Sequence, residues 1–324
     1  MTGFDPSDAP NSEMAAIMAR LAAEDGHLPD PTTLPPAEGR AQAEAGNHRW
    51  NRDPPPMETA ELTLPGGIAP RPARLFRPAS ARGAILYIHG GGWAFCSLDT
   101  HDRSMRCLAE ATGMAVIGID YRLAPEHPYP AGLDDAVAAW RALPEVLAEV
   151  LAEHRLAGPI GVSGDSAGAN LALAVMLQEQ AAGRRSPDFG LLFYGVYAVD
   201  HDTDSHQRFG PGGYGLTTAK MIRYRDWYVP DPASWAQPAV SPLAAPDAAL
   251  RALPPLYLNA AGLDPLLGDT LVLGGRLRAL GRADPVRVHR GVIHGFMQMT
   301  SALAEARTAF AEAGGWVRRF NEKA

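Results

Sequence analysis

The five residues Gly164-Asp165-Ser166-Ala167-Gly168 form a Gly-x-Ser-x-Gly pattern. A β-rich run at 159–163 precedes the pattern, and a helix-forming run at 170–174 follows it. A nucleophilic serine must project from a tight turn between a strand and a helix, and small glycines permit the close backbone approach of such a turn. We therefore predict that Ser166 is a nucleophile. The alternative is an ordinary serine in a surface turn.

A second glycine-rich segment, His89-Gly90-Gly91-Gly92-Trp93, follows a β-rich run at 84–88. Three consecutive glycines cost conformational entropy, so we expect a specific use for them. Such a segment can turn backbone N–H groups toward the negative charge that develops on an oxygen during acyl transfer. A phosphate-binding loop would instead need Gly-x-Gly-x-x-Gly or a following Lys-Ser/Thr pair, and neither is present.

A nucleophilic serine needs a base, and the chain has 10 histidines. His294 follows a β-rich run at 285–289 and opens a loop at the expected carboxyl end of a strand, where α/β sheets bind ligands. We predict that His294 is the base. Packing, solvent-exposed or loop-anchoring roles are more typical of the other histidines considered, which are His89, His201, His206 and His289.

The base needs an acid that orients it, and the chain order Ser…Asp…His places this acid between Ser166 and His294. Asp264 follows a β-rich run at 255–259 and is therefore expected at a strand end. Asp269 is the alternative, but it lies where a helix is expected to begin, so capping of that helix explains it. Solvated loop carboxylates are expected at Asp200, Asp202 and Asp204.

Regular elements must hold these side chains together. The segments 61–64 and 73–77 predict an antiparallel pair of strands. Beyond them, β-rich runs alternate with helix-like stretches, which is typical of an α/β protein with a mostly parallel central sheet flanked by helices. The β-rich runs are 84–88, 114–120, 159–163, 191–196, 255–259 and 285–289, and the helix-like stretches lie at about 100–111, 131–142, 167–181, 268–280 and 302–319.

Two segments depart from this alternation. Residues 1–60 contain a predicted helix at about 13–24, followed by proline-rich stretches that favour an extended connection. The apolar face of this helix is expected to pack on the domain, or else to form a lid whose methionines touch a ligand. Residues 200–239 form an insertion with a helix-like stretch at 217–228. We predict a catalytic domain of 61–199 and 240–324, with 1–60 and 200–239 as a helical cap.

Composition limits the function classes. The chain has 324 residues, 46% of them hydrophobic, which excludes a wholly disordered chain. Its net charge of −7 and the lack of a basic block are unfavourable for nucleic-acid binding. The two cysteines Cys96 and Cys107 predict neither a disulfide framework nor a zinc site. Without a signal peptide or a long apolar run, we expect a cytoplasmic protein that does not bind membranes.

Taken together, the motifs resemble the hormone-sensitive lipase family of α/β-hydrolases. Those that carry the resemblance, in chain order, are His89-Gly90-Gly91-Gly92-Trp93, Tyr121-Arg122-Leu123-Ala124-Pro125-Glu126, Gly164-Asp165-Ser166-Ala167-Gly168, Asp264-Pro265-Leu266 and His294-Gly295-Phe296. The resemblance implies an α/β-hydrolase fold with a helical cap. It also implies hydrolysis of short to medium acyl esters of small molecules, without a cofactor or metal, and a homodimer formed through the edge strand near 285–289.

The same resemblance assigns roles to individual residues. It implies Ser166 as nucleophile, His294 as base and Asp264 as the orienting acid, with an oxyanion hole formed by the N–H groups of Gly91, Gly92 and Ala167. The chain departs from the family at Ala169, where a second glycine is usual. It departs again at 267–270, where a charged run ending in Asp-Glu is common.

Substrate choice is less defined by the sequence. Aromatic residues that either line a pocket or belong to the core are Trp93, Phe95, Phe209, Tyr214, Trp227 and Tyr228. Cys96 either lines the site or is a small buried hydrophobe. Small water-soluble esters are favoured over triglycerides. A lactonase, amidase or acyltransferase would use the same triad, whereas a ligand-binding relative without catalysis would lack His294.

Overall fold

The computed structural model describes residues 9–79, 81–150 and 158–321, so the first eight residues of the predicted cap segment lie outside the described residues. An eight-stranded sheet with strand order β1-β2-β4-β3-β5-β6-β7-β8 runs through the centre of the molecule. Its strands are β1 Glu58–Leu64, β2 Arg71–Arg77, β3 Ala84–Ile88, β4 Ala115–Ile119, β5 Ile160–Asp165, β6 Gly190–Phe193, β7 Leu256–Leu263 and β8 Val286–Ile293.

The predicted alternation of strands and helices around a mostly parallel sheet is confirmed. The β1–β2 and β2–β4 pairs are antiparallel, and every pair from β4–β3 to β7–β8 is parallel. β3, β4 and β7 are buried at every position, which explains their continuous apolar sequences. Several predicted boundaries differ by a few residues, for example those of β6 and β7. β6 ends at Phe193 because Tyr194 adopts a positive φ of 35°, and β7 continues four residues beyond 259 to Leu263.

Helices cover both faces of this sheet. The helices are α1 Ser12–Asp25, α2 Pro36–Asn47, α3 Leu98–Thr112, α4 Ala131–Val150, α5 Ala167–Ala181, α6 Asp204–Phe209, α7 Thr218–Tyr228, α8 Asp247–Arg251, α9 Leu267–Ala279 and α10 Ala304–Asn321. Alternate side chains of β3 belong to two apolar clusters. One cluster includes α4 and α5, and the other includes α3 and α10. None of the described helices is long and apolar enough to cross a bilayer.

The N-terminal segment differs in part from its prediction. α1 buries Met14 and Ile17, as expected for a helix that packs on the domain, and the Asn11 N–H donates to the Gly291 carbonyl at 2.9 Å. The proline-rich stretch around Pro36 is not an extended connection. It begins α2, because a proline is well accommodated in the first turn of a helix, where its missing N–H costs nothing.

The segment between β6 and β7 carries α6, α7 and α8, and it lies beside the N-terminal segment. The Lys220 ammonium of α7 pairs with the Asp30 carboxylate at 3.4 Å. This contact is consistent with the prediction that 1–60 and 200–239 together form a cap, and the assignment of these segments as a cap stays a prediction.

The sharpest packing constraint lies where α5 crosses the end of β3. A Cβ atom built on Gly168 would lie 1.9 Å from the carbonyl oxygen of Ile88 and 2.7 Å from that of His89. These oxygens belong to the backbone at the end of a buried central strand, so the first turn of α5 approaches β3 at a distance that only glycine permits.

We expect Gly168→Ala to lower the free energy of unfolding by about 3 kcal/mol or more, because the added methyl forces a backbone shift in a packed core. Urea denaturation followed by circular dichroism measures this change. Gly275→Ala is the matched control, because Gly275 is exposed on α9 and a Cβ atom added to it would have nothing within 4 Å. The control should gain roughly 0.5–1 kcal/mol, and equal stability of the two variants would contradict the prediction.

Candidate active site

Ser166 lies in the turn between β5 and α5, as the Gly-x-Ser-x-Gly pattern predicts. Its backbone adopts φ 53° and ψ −120°, a conformation that is costly for a residue with a Cβ atom. The Ser166 N–H donates to the Phe193 carbonyl at 2.9 Å, which ties the turn to the neighbouring strand β6. A Cβ atom on Gly164 would lie 2.4 Å from the backbone of Gly168, so the turn closes on itself only with glycine at 164.

The structure places His294 within hydrogen-bond distance of both other residues of the predicted triad. His294 Nε2 lies 2.9 Å from Ser166 Oγ, and His294 Nδ1 lies 2.7 Å from Asp264 Oδ2. Asp264 is fully buried directly after β7, and its other carboxylate oxygen accepts the N–H of Leu266 at 2.9 Å. Because β5, β7 and β8 end at the same edge of the sheet, residues far apart in sequence converge there.

The glycine loop lies beside Ser166 and adopts conformations that other residues rarely reach. Gly91 has φ 106° and Gly92 has φ 60°. A Cβ atom on Gly92 would lie 2.4 Å from the ring of Tyr224, so the loop can pass beneath this ring only without a side chain. Within the described part of the chain, nothing accepts a hydrogen bond from the N–H groups of Gly91, Gly92 or Ala167.

A buried carboxylate that the sequence patterns do not reveal holds this loop. Asp165 Oδ1 accepts the Gly90 N–H at 2.9 Å and the Tyr87 hydroxyl at 2.8 Å, and the His101 imidazole lies 3.3 Å away. Burial by itself would raise the pKa of Asp165, but the charge and hydrogen bond of His101, with the Tyr87 and Gly90 donors, lower it to about 2. The carboxylate therefore stays charged and fixes Gly90 next to the nucleophile turn.

The other histidines lie elsewhere. His289 pairs with Glu305 at 2.7 Å on the outer strand β8. The Nδ1 of His89 lies 2.8 Å from the Gly90 carbonyl and its ring stacks on Tyr121, so it anchors the glycine loop as predicted. The rings of His201 and His206 lie 5.0 Å apart near α6. Burial lowers the pKa of both, to about 4 for His201.

Asp269 does not cap its own helix, so that expectation is wrong. Its Oδ2 accepts the backbone N–H groups of Tyr197 at 2.7 Å and Ala198 at 3.1 Å, and α9 begins without a side-chain cap. Burial, with the nearby charges of Asp264 and Asp200, outweighs these two hydrogen bonds and raises the pKa of Asp269 to about 7. The side chain thus holds the segment after β6 in place.

A cavity of about 150 Å³ adjoins Ser166 and His294. Among the aromatic residues predicted to line a pocket, Trp93 is the one that lines it within the described part of the chain. Phe95 instead packs between Tyr224 and Trp227, and Phe209 packs edge-on against Tyr214. Neither the α1 methionines nor Ala169 line the cavity. The remaining lining includes residues that the sequence did not single out, which are Val196, Leu216, Met221, Tyr224 and Gln298.

Cys96 also lines the cavity, in a left-handed conformation with φ 71°. Burial raises the pKa of its thiol to about 12, so the sulfur stays protonated and behaves as a small apolar group. Both interpretations of Cys96 therefore describe it in part. Across residues 9–79, 81–150 and 158–321, no group of three His, Cys, Asp or Glu side chains is arranged to hold a metal ion.

Comparison with known proteins identifies the family. A family model described as alpha/beta hydrolase fold matches residues 85–298. An acetyl esterase of Salmonella schwarzengrund (strain CVM19633) is 34% identical over 264 residues, which are 80% of this chain and 80% of the relative. The acetyl esterase of Salmonella paratyphi A (strain ATCC 9150 / SARB42) is 32% identical over the same shares of both chains.

Solved structures agree with this result. An alpha/beta hydrolase from the metagenome of Lake Arreo, Spain, is similar with a TM-score of 0.88 and 32% identity, covering 96% of this chain and 98% of the other. A thermostable esterase from Pseudomonas putida ECU1011 has a TM-score of 0.89 and 26% identity over 98% and 99% of the two chains. The chain therefore belongs to the hormone-sensitive lipase-like family of α/β hydrolases and is a carboxylic ester hydrolase.

Proposed function

We propose that this chain is a serine carboxylesterase that hydrolyses short-acyl esters through Ser166, His294 and Asp264. The observation that carries the proposal is the continuous hydrogen-bond chain from Ser166 Oγ through both ring nitrogens of His294 to Asp264. The esterase names of the relatives support the same reaction class.

In the first half of the reaction, Ser166 Oγ attacks the ester carbonyl carbon while His294 Nε2 accepts the hydroxyl proton. Negative charge moves to the carbonyl oxygen, which binds the N–H groups of Gly91, Gly92 and Ala167. Because these donors are already oriented, they stabilise the oxyanion without reorganisation. His294 then donates the proton to the leaving alcohol, and an acyl-enzyme with Ser166 remains.

In the second half, His294 removes a proton from a water molecule, which attacks the acyl carbonyl. The tetrahedral intermediate uses the same backbone donors, and its collapse returns the proton to Ser166 Oγ and releases the acid. Asp264 accepts the His294 Nδ1–H throughout. It keeps the Nε2 lone pair directed at the serine and stabilises the imidazolium that forms in each half.

The cavity volume supports a short acyl group. A space of about 150 Å³ beside Ser166 holds a molecule of roughly benzene's size. Its apolar walls, Val196, Leu216 and Met221, suit an alkyl chain. A series of p-nitrophenyl esters from acetate to decanoate measures the acyl limit, and we expect kcat/KM to fall once the chain exceeds this volume.

We expect Ser166→Ala to lower kcat for p-nitrophenyl acetate by roughly a million-fold, because loss of the nucleophile removes the acyl-enzyme route. Stopped assays on purified protein measure the rate, and an unchanged thermal unfolding midpoint shows that the variant is folded. Turnover close to that of the unmodified protein would contradict the assignment of the nucleophile.

We expect Asp264→Asn to lower kcat by about four orders of magnitude, because the amide favours the wrong tautomer of His294. Asp269→Asn is the matched control. It changes another buried aspartate near the site, yet its oxygen can still accept the Tyr197 and Ala198 N–H groups. Its kcat should stay within about tenfold of the unmodified value. The reverse ranking would mean that Asp269 orients the base.

Asp269 also predicts a pH dependence of stability. Its pKa is raised from 3.8 to about 7 in the folded protein. Between these values the folded chain holds a proton that the unfolded chain has lost, so this group makes the free energy of unfolding fall as pH rises.

We expect Asp269→Asn to remove this decrease, which is on the order of a few kcal/mol between about pH 4 and about pH 7. Urea denaturation of both proteins at several pH values measures the effect. The variant should gain stability relative to the unmodified protein near neutral pH. A difference between the two proteins that is constant with pH would show that Asp269 ionises alike in the folded and unfolded chains.

A further inference from the structure

Tyr194 is a buried aromatic residue beside the triad to which the mechanism above gives no role. It directly follows β6, it is 1% exposed, and its backbone adopts a φ of 35°. A positive φ is costly for a bulky residue, and such strain persists only where the surroundings determine the backbone. The contacts of Tyr194 show what this costly conformation maintains.

The ring of Tyr194 packs against the proposed base. The centroids of the Tyr194 and His294 rings lie 5.0 Å apart with an interplanar angle of 69°, so the edge of one ring meets the face of the other. This geometry is favourable for two aromatic rings. The two ring nitrogens of His294 lie at Ser166 and Asp264. The Tyr194 ring therefore adds a third contact, which limits rotation of the imidazole out of this hydrogen-bond chain.

The hydroxyl of Tyr194 makes a weaker contact with the carboxylate that holds the glycine loop. It donates to Asp165 Oδ2 at 3.5 Å, which is at the long limit for a hydrogen bond. The other oxygen of Asp165 has shorter contacts, with the Gly90 N–H at 2.9 Å and the Tyr87 hydroxyl at 2.8 Å. Because the loop already has these stronger contacts, the ring of Tyr194 contributes more to the site than its hydroxyl does.

The backbone of Tyr194 is fixed to segments that carry two members of the triad. Its N–H donates to the carbonyl oxygen of Asn259 at 2.8 Å and to Asn259 Oδ1 at 3.1 Å. Asn259 is fully buried on β7, the strand directly before Asp264. The carbonyl of the preceding residue, Phe193, accepts the Ser166 N–H at 2.9 Å. The Tyr194 ring is thus presented to the base from a backbone that is fixed relative to the nucleophile and the acid.

We propose that Tyr194 is a positioning residue for the base. Its ring holds the His294 imidazole in line with Ser166 and Asp264, and its hydroxyl is dispensable. Tyr194 does not line the catalytic cavity, so it acts through His294 and not on the substrate. This inference rests on the proposed function, since it concerns proton transfer by His294.

Loss of the ring should affect esters according to their leaving group. His294 must donate a proton to the strongly basic ethoxide that leaves from ethyl acetate, whereas p-nitrophenolate is stable without that proton. A misplaced imidazole therefore slows ethyl acetate more than p-nitrophenyl acetate. A merely structural defect would lower both rates by the same factor, because both substrates need the same folded protein.

The test compares two variants of Tyr194 on these two substrates. We expect Tyr194→Leu to lower kcat/KM for ethyl acetate by roughly tenfold to a hundredfold, and kcat/KM for p-nitrophenyl acetate at least about threefold less. Tyr194→Phe keeps the ring and should leave both values within about twofold. Tyr194→Met is a second variant without the ring, since its flexible side chain fills the space if leucine does not fold. It should change the ratio in the same direction.

Phe189→Leu is the matched control. Phe189 directly precedes β6, at the end of the strand opposite to Tyr194, and it is fully buried against Trp316 and Phe320. The variant removes a buried ring from the same region of the core without altering the surroundings of the triad. It should lower the thermal unfolding midpoint, yet keep the ratio of the two kcat/KM values within about twofold.

Two results would overturn the inference. An unchanged ratio in folded Tyr194→Leu or Tyr194→Met would mean that the ring does not position the base. A fall in Tyr194→Phe as large as that in Tyr194→Leu would mean that the hydroxyl is the group that matters. In either case, hydrolysis that Ser166→Ala abolishes would leave the proposed function intact, whereas hydrolysis that persists in Ser166→Ala would remove the function itself.

Discussion

The close approach of α5 to the end of β3 is the constraint on which the candidate site depends. Gly168 lies against the carbonyl oxygens of Ile88 and His89, the last residue of β3 and the first residue of the glycine loop. Asp165, just before the nucleophile turn, binds the N–H of Gly90. The strained backbone of Ser166 and the amides of the glycine loop are therefore parts of one packed unit. Strain at a single residue persists only where its surroundings determine the backbone in this way.

Three buried carboxylates near this unit show how neighbouring groups determine the role of an aspartate and the direction in which its pKa shifts. Asp165 has donors from Tyr87 and Gly90 and a histidine beside it, so its pKa falls despite burial. Asp269 has two backbone N–H donors but lies near other carboxylates, so burial dominates and its pKa rises. Asp264 has His294 as its partner. Asp165 thus holds the glycine loop, Asp269 holds the segment after β6, and Asp264 orients the imidazole. The neighbouring groups decide these different states of one residue type.

Much of this arrangement is predictable from sequence because it lies at strand ends. Ser166, Asp264 and His294 each directly follow a strand, and parallel strands bring their carboxyl ends to one edge. The start of α2 is not predictable in this way, because the prolines before it mark both turns and first helical turns. Tyr224 and Gln298 could not be predicted to line the cavity, because no local sequence pattern indicates a contact between residues far apart in the chain. Gly92 needs its missing side chain partly because of the Tyr224 ring, 132 residues away in sequence.

The residues that the sequence predicts are those proposed to carry the chemistry, whereas the residues that it misses are those that shape the cavity. The groups proposed to carry the chemistry lie directly after strands of the sheet, and a one-residue shift of a strand would point its group the wrong way. Apart from the glycine loop and the nucleophile turn, the groups that shape the cavity come from the segment between β6 and β7 and from the residues after β8. These segments contact the sheet edge without joining its hydrogen-bond ladder, so their sequences can vary without moving Ser166. We therefore expect a change in acyl preference to come from cavity side chains such as Leu216 and Met221, while the triad and its buried supports stay in place.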